Sequence, residues 1–164
     1  MSMIGNLLRV SSSELDEYLN DSSLLEARLD AALDVDDPNL VDIDKSWDGI
    51  NFLLTGTIVG DSDNPLQKVL FSEQYIDESQ DLGYGPAHYL TAKQVKELNE
   101  EILKILIEEL QKNYDSKKMI ELELYPNAWE ENDMVNYLTD NFKIVQEVYA
   151  TAAQNDQAII TFLS

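Results

Sequence analysis

Cysteine is absent from this chain of 164 residues, histidine occurs once and arginine only twice. The missing thiol excludes a cysteine nucleophile, a disulfide and a cysteine-based zinc site. Two guanidinium groups leave little with which to hold a phosphate in a bidentate manner. Glycine and proline number 6 and 4, too few for a low-complexity or disordered chain. Carboxylates, hydroxyls, amides and apolar side chains are what remains.

Positive charge is the second shortage, because 11 Lys and Arg stand against 32 Asp and Glu and the formal net charge is −21. A surface of this sign repels nucleic acids and anionic lipids, since binding either requires Lys and Arg. No apolar run approaches the roughly 18 residues of a membrane-spanning helix, and the N-terminal residues lack a signal-peptide pattern. We therefore expect a cytoplasmic protein that binds neither nucleic acid nor membrane.

Hydrophobic periodicity predicts a chain of short strands and longer helices. Strands are predicted over 4–10, 87–90 and 157–163. Helices are predicted to begin near residues 11 and 23, to cover 44–56, 65–71 and 92–112, and to begin again at 132 or 133. Residues 72–85 have the composition of a surface loop, and 116–124 fit either a strand or a helix.

Local hydrogen-bonding patterns predict where several helices begin. Capping-box spacing occurs at three places: Ser11 with Glu14, Ser23 with Glu26, and Thr91 with Gln94. Asp44 is expected to be the N-cap of the third helix. The helix over 92–112 is expected to bury one apolar face: Val95, Leu98, Ile102, Ile105, Leu106 and Leu110.

Neither an internal repeat nor a linker interrupts the sequence, so it is expected to form one domain over residues 1–164. Long helices with short strands at both ends predict an α/β (mixed α+β) fold, with helices packed on a small mixed β-sheet.

An ordered series of short segments resembles a known family: Met3–Gly5, Val41–Asp48, Leu54–Gly56, Asn64–Leu66, Gly85–Ala87, Tyr89–Val95, Tyr125–Pro126 with Trp129, and the closing Phe142, Tyr149–Ala150 and Ala152–Ala153. In this order they resemble the YfbM-like family of bacterial proteins, a domain of unknown function, over nearly the whole chain. The resemblance implies a compact cytoplasmic α/β domain. It implies no activity, because the family has no established catalytic residues to carry over.

The most informative polar cluster is Asp44, Trp47 and Asp48. Two carboxylates four residues apart share one helix face, and in a pocket desolvation would raise the pKa of one of them and create an acid–base pair. The structural alternative, which we favour, makes Asp44 an N-cap, Asp48 a favourable charge at the helix N-terminus, and Trp47 a core residue.

Four further residues are candidates for a cleft or a partner-binding surface: Tyr84, His88, Tyr125 and Trp129. The aromatic residues lie near Gly/Pro turns and suit either an interface or the edge of a core. His88 is the one side chain with an ordinary pKa near neutrality, but no serine or acid stands at motif spacing from it. No phosphate-binding glycine loop or His-rich metal motif is present, so neither a cofactor nor a metal is expected.

Two functions from different classes fit these observations. The first is a non-catalytic acidic protein-interaction module, of the immunity or inhibitor kind, whose negative surface attracts a basic protein. The alternative is a small-molecule-binding protein or enzyme with a cleft that gathers Asp44, Asp48, Tyr84, His88 and Tyr125. The two are separated by whether these side chains converge.

Overall fold

A computed structural model describes residues 2–164. It contains four strands and seven α-helices: β1 Gly5–Val10, α1 Ser12–Asn20, α2 Ser23–Ala32, β2 Leu40–Asp42, α3 Trp47–Thr55, β3 His88–Leu90, α4 Ala92–Leu103, α5 Ile107–Lys112, α6 Ser116–Glu121, α7 Met134–Gln154 and β4 Ala158–Leu163. Two short 3-10 segments, Asp44–Ser46 and Pro65–Val69, precede α3 and the long loop that leads to β3. The expected α/β domain, with helices packed on a small sheet, is confirmed.

The sheet differs from the expectation in one respect, because its neighbouring strands are all antiparallel rather than mixed. The strand order is β2-β1-β4-β3, and the longest pairing joins β1 to β4, from Gly5 opposite Leu163 to Val10 opposite Ala158. The connection from β1 to β2 contains two helices and returns the chain to the end where β1 finishes, so that the Arg9 N–H donates to the Asn39 carbonyl at 2.8 Å. A parallel neighbour would need the chain to return to the opposite end.

Each face of the sheet is covered by a separate hydrophobic core, since alternate residues of a strand point to opposite faces. Leu7 and Ile159 face the larger core, which includes side chains of α3, α4 and α7. Leu8, Val10 and Ile160 face the smaller core, which α1 and α2 cover. The second face therefore has fewer helices over it than the first.

Helix starts follow the predicted capping pattern at two of three places. Complete capping boxes form at Ser11–Glu14 and Thr91–Gln94. The predicted box at Ser23–Glu26 is wrong, because Ser22 is the N-cap of α2 and makes no side-chain capping hydrogen bond. The Ser22 hydroxyl instead donates to the Asp77 carboxylate at 2.7 Å, a partner 55 residues away.

The helix predicted over 92–112 is interrupted. Residues 104–106 separate α4 from α5, and Leu106 has an extended backbone at φ −89° and ψ 134°. Leu106 is consequently 57% exposed, against the expectation that it is buried, and Ile105 is only partly buried. The break lets α5 contact both α3 and α7, which buries Leu110 to 3% exposure.

Residues 116–124, which the sequence left open, form α6 and a following turn. The Asp115 side chain accepts a hydrogen bond from the Lys118 N–H at 3.1 Å, and Met119 is fully buried. Between residues 2 and 164, no helix has both the length and the apolar character that a membrane crossing requires.

Candidate functional site

Trp47 lies at the centre of a group of aromatic side chains. It is the first residue of α3 and 8% exposed. Its ring stacks on Tyr125 at 5.7 Å and meets Phe71 edge-on at 5.7 Å. The indole N–H donates to the Met3 carbonyl at 3.0 Å, and the Met3 N–H donates to the Tyr125 hydroxyl at 3.0 Å. The chain segment before β1 is thereby held across the Trp47–Tyr125 pair.

Asp48 fixes the other side of Tyr125. Its Oδ2 atom accepts a hydrogen bond from the Tyr125 backbone N–H at 2.9 Å. Burial raises the pKa of the Asp48 carboxyl, and this hydrogen bond opposes the rise in part. The carboxyl thus secures the turn that contains Tyr125 to the first turn of α3.

Asp44 is not the N-cap of α3, so that expectation is wrong. The 3-10 segment that Asp44 begins separates it from the first residue of α3, and its backbone has a left-handed φ of 52°. Its carboxylate accepts a hydrogen bond from the Tyr137 hydroxyl at 2.6 Å, and that hydroxyl accepts one from the Lys45 N–H at 3.0 Å. Burial and the nearby Asp44 carboxylate raise the pKa of Tyr137.

Tyr137 is a residue of this site that the sequence reasoning missed. It lies on α7 beside the fully buried Leu138, 93 positions from Asp44. No local pattern relates the two, since Tyr137 occupies a helix position next to the apolar face. Asp44 and Asp48 therefore do not form a pair: Asp44 binds the side chain of Tyr137 on α7, and Asp48 binds the backbone N–H of Tyr125 in a turn.

His88 joins the same aromatic group at its far end. Its ring packs edge-on against Phe71 at 5.6 Å and tilts against Tyr75 at 4.7 Å. Its Nδ1 atom accepts a hydrogen bond from the Glu73 backbone N–H at 3.0 Å. Burial lowers the pKa of His88, and the charge of Glu73 opposes this shift.

Tyr84 and Trp129 occupy other places in the fold. Tyr84 is 38% exposed, between two glycines with positive φ, Gly83 and Gly85. Trp129 is 1% exposed and donates its indole N–H to the Leu124 carbonyl at 3.0 Å. Of the seven candidates, Trp47, Asp48 and Tyr125 are in direct contact, Asp44 lies close by, and His88 is linked to Trp47 through Phe71.

The polar groups of this cluster are engaged with the protein itself. The Asp44, Asp48 and His88 side chains each accept a hydrogen bond from within the chain. In the stretch from residue 2 to 164 no three His, Asp or Glu side chains are grouped so that they could hold a metal ion. The arrangement can hold the N-terminal segment, α3, α7 and the Tyr125 turn together.

A surface groove lies on the face of the sheet that α1 and α2 cover. The sequence did not predict it. We call it the α2 groove; its volume is about 460 Å³. Its walls include five apolar and three acidic side chains: Leu29, Leu33, Leu40, Leu82, Phe162, Glu26, Asp30 and Asp81. Leu33 directly follows the last residue of α2 and is 80% exposed.

A second depression of about 410 Å³ lies between α4 and the 3-10 segment Pro65–Val69. We call it the α4 groove. Its walls carry charges of both signs, since Lys68 lies with Glu97, Glu100 and Glu101. The two grooves are thus similar in size and different in charge.

The comparisons with known proteins identify a family and a structure of similar fold, and neither gives an activity. The family model for a domain of unknown function, DUF1877, matches residues 1–162. The crystal structure of YfbM from Escherichia coli, a protein of unknown function, superposes with a TM-score of 0.74 and 19% sequence identity over 98% of this chain and 99% of that one. No curated protein matches the sequence. The chain belongs to the DUF1877 family of domains of unknown function.

Proposed function

We propose that this protein is a non-catalytic, acidic protein-interaction module of the cytoplasm that binds a basic protein, in the manner of an immunity protein or an inhibitor. The observation that carries the proposal is the surplus of unpaired negative charge. The chain has 32 Asp and Glu residues, while residues 2–164 contain four side-chain ion pairs. Most carboxylates therefore lack a cationic partner within the molecule.

Such a surface has a defined physical consequence for association. A field of one sign accelerates the encounter with a partner of opposite charge, and it disfavours partners of the same charge. It does so without catalytic groups. An inhibitor or immunity protein requires fast and selective association of this kind.

The hydrogen bonding around Trp47 supports the non-catalytic side of the proposal. A general base needs a lone pair directed at a substrate proton. The Asp48 carboxylate and the His88 ring nitrogen accept backbone N–H groups, and Asp44 accepts a tyrosine hydroxyl. These contacts support a structural role for the cluster rather than a catalytic one.

The test is affinity capture followed by quantitative binding. The immobilised protein is exposed to cytosol of its own source at about 50 mM salt, a concentration at which charge attraction is weakly screened. We expect a stoichiometric partner with more Lys and Arg than Asp and Glu. Its Kd, measured by calorimetry, should rise steeply between about 50 and 500 mM salt, as it does when charge contributes to binding.

The control is the same capture with an acetylated cytosol, in which lysines no longer carry charge. We expect the partner to be lost from that sample. A stoichiometric partner that is acidic, or whose Kd is insensitive to salt, would contradict the proposal, as would the absence of a stoichiometric partner.

A further inference from the structure

We infer that the α2 groove is the docking site for a short segment of the basic partner, in which one or more apolar side chains are flanked by Lys or Arg. This inference rests on the proposed function and adds the place and the chemistry of the contact.

The apolar floor of the groove comes from the less-covered face of the sheet. The α1–α2 pair covers Leu8, Val10 and Ile160, which are at most 1% exposed. Leu40 and Leu82, at the margin of this core, are only partly buried and form groove walls. An apolar side chain placed there would extend the smaller core and remove further apolar area from water.

Apolar side chains line the groove on its α2 side. Leu33 lines it at 80% exposure, and Leu29, one turn earlier, lines it while only partly buried. Isolated exposed leucines are ordinary on a protein surface, but apolar side chains gathered at a groove rimmed by polar residues are typical of an interaction site.

Charge determines which apolar segment this groove would accept. Glu26 and Asp30 stand one turn apart on α2, and Asp81 lies in the loop that forms another part of the wall. Arg28 is the basic residue nearest in sequence to the two α2 acids, and its guanidinium is already paired with Asp37. Cationic side chains of a partner therefore meet three carboxylates and no free positive charge among the groove-lining residues.

Asp81 is held in a form that suits this role. Its Oδ1 atom accepts hydrogen bonds from the backbone N–H groups of Gly83 and Gly85 at 2.9 and 3.1 Å. These bonds lower the pKa of its carboxyl and so favour the ionised form that a cationic side chain would meet. Both glycines have positive φ, and the loop geometry thus fixes the carboxylate.

The α4 groove supplies the internal comparison. It is of similar volume and its wall also holds three glutamates, but Lys68 lies among them and offsets one of the three negative charges, so a Lys- or Arg-bearing segment is attracted less strongly there. A volume in the range of about 300–1,000 Å³ is typical of a ligand site, and both grooves meet it. The distribution of charge is what separates them.

The experiment uses two labelled synthetic peptides of equal charge, Lys-Lys-Leu-Lys-Leu-Lys-Lys and the same peptide with serine for leucine. Fluorescence anisotropy measures their Kd for the protein of residues 1–164. We expect the leucine peptide to bind more tightly than the serine peptide, since only the former has side chains for the apolar wall.

Two matched double variants locate the site, because each removes two exposed acids from one helix: Glu26→Gln with Asp30→Asn on α2, and Glu97→Gln with Glu100→Gln on α4. The α2 variant should raise the Kd of the leucine peptide about tenfold, a change of about 1.4 kcal/mol in binding free energy. The α4 variant should raise it less than about twofold. Leu33→Ser, at an exposed position, should weaken the binding of the leucine peptide and leave the binding of the serine peptide unchanged. Thermal melts establish that each variant is folded.

The outcomes separate this inference from the proposed function. Equal loss from the α2 and α4 variants, or equal affinity for the two peptides, would overturn the α2 groove as the docking site while leaving a diffuse electrostatic module intact. A captured basic partner that binds the α2 variant with the same Kd as the wild-type protein would likewise overturn the α2 groove as the docking site. Failure of the wild-type protein to bind either peptide or any basic protein would overturn both.

Discussion

Replacing Gly49 with alanine should destabilise the protein, although alanine is the better helix former. Gly49 lies within α3 and is buried. A Cβ atom at this position would stand 2.7 Å from Cδ2 and 2.9 Å from Cδ1 of Leu138, and 2.7 Å from Cη2 of Trp129. Optimal carbon–carbon separations are about 3.5–4.0 Å, so all three contacts are strongly repulsive.

The sign of the change depends on which of two opposing effects is larger. Alanine gains about 1 kcal/mol over glycine inside a helix. Overpacking a close-packed interior costs about 1–3 kcal/mol. Leu138 and Trp129 are 0% and 1% exposed, so neither side chain can turn into solvent, and the cost lies near the upper end. We expect a net loss of about 1–2 kcal/mol, or a Tm lower by about 2–8 °C.

Urea unfolding measures this loss, and two further variants test its cause. Ala150→Gly, at an exposed position of α7, measures the helix-propensity difference in the same protein and should cost about 1 kcal/mol. Combining Gly49→Ala with Leu138→Ala should give a loss smaller than the sum of the single losses by about 1 kcal/mol, because the truncated leucine no longer meets the new methyl group. A Gly49→Ala protein as stable as the wild type would refute the reasoning.

Three other changes test the Trp47 cluster and the surface charge. Tyr137→Phe removes the donor to the Asp44 carboxylate and should cost about 1 kcal/mol in urea unfolding, whereas a loss near zero would mean that water replaces the hydroxyl. The raised pKa of Asp48 means that the folded state disfavours the ionised carboxylate. The protonated carboxyl therefore contributes stability at pH values below the unfolded-state pKa of about 3.9, and this contribution is lost as the pH rises through the raised pKa of the folded state. Asp48→Asn keeps an acceptor for Tyr125 and should therefore be more stable than the wild type at pH 7 but not in acid; pH-resolved unfolding that shows the reverse order would contradict the shift. Finally, like charges repel within a Debye length of about 10 Å at 0.1 M salt, so added sodium chloride should raise the Tm, and a flat Tm would indicate that the acidic side chains are well separated.

Features that depend on neighbours in the sequence were predictable. The capping boxes at Ser11 and Thr91 need only residues three positions apart, and the buried faces of α4 and α7 follow helical periodicity. Trp47 and Tyr125 could each be selected as aromatic residues near turns. Their stacking could not be inferred from residues 78 positions apart without knowing the fold.

Features that depend on distant partners escaped prediction. Ser22 bonds to Asp77 rather than capping its own helix, and Asp44 meets Tyr137 rather than α3. The break before α5 lets Leu110 join the larger core while α5 contacts α3 and α7, and the periodic pattern of residues 92–112 does not predict it. The α2 groove is likewise a product of how far two helices extend over a sheet face.

The pairing of β1 with β4 has a consequence for the order in which the protein can form. The two central strands come from opposite ends of the chain, and Ile4 and Ser164 exchange backbone hydrogen bonds of 2.8 and 3.0 Å. During synthesis β1 therefore cannot pair with its central neighbour until residues 11–157 and then β4 itself have left the ribosome, and contacts of this non-local kind form slowly. β4 also supplies Ile159 to one core and Ile160 to the other. A chain cut short before residue 158 would lose the strand that joins β3 to β1 and with it side chains from both cores, so neither core can be completed until β4 has formed.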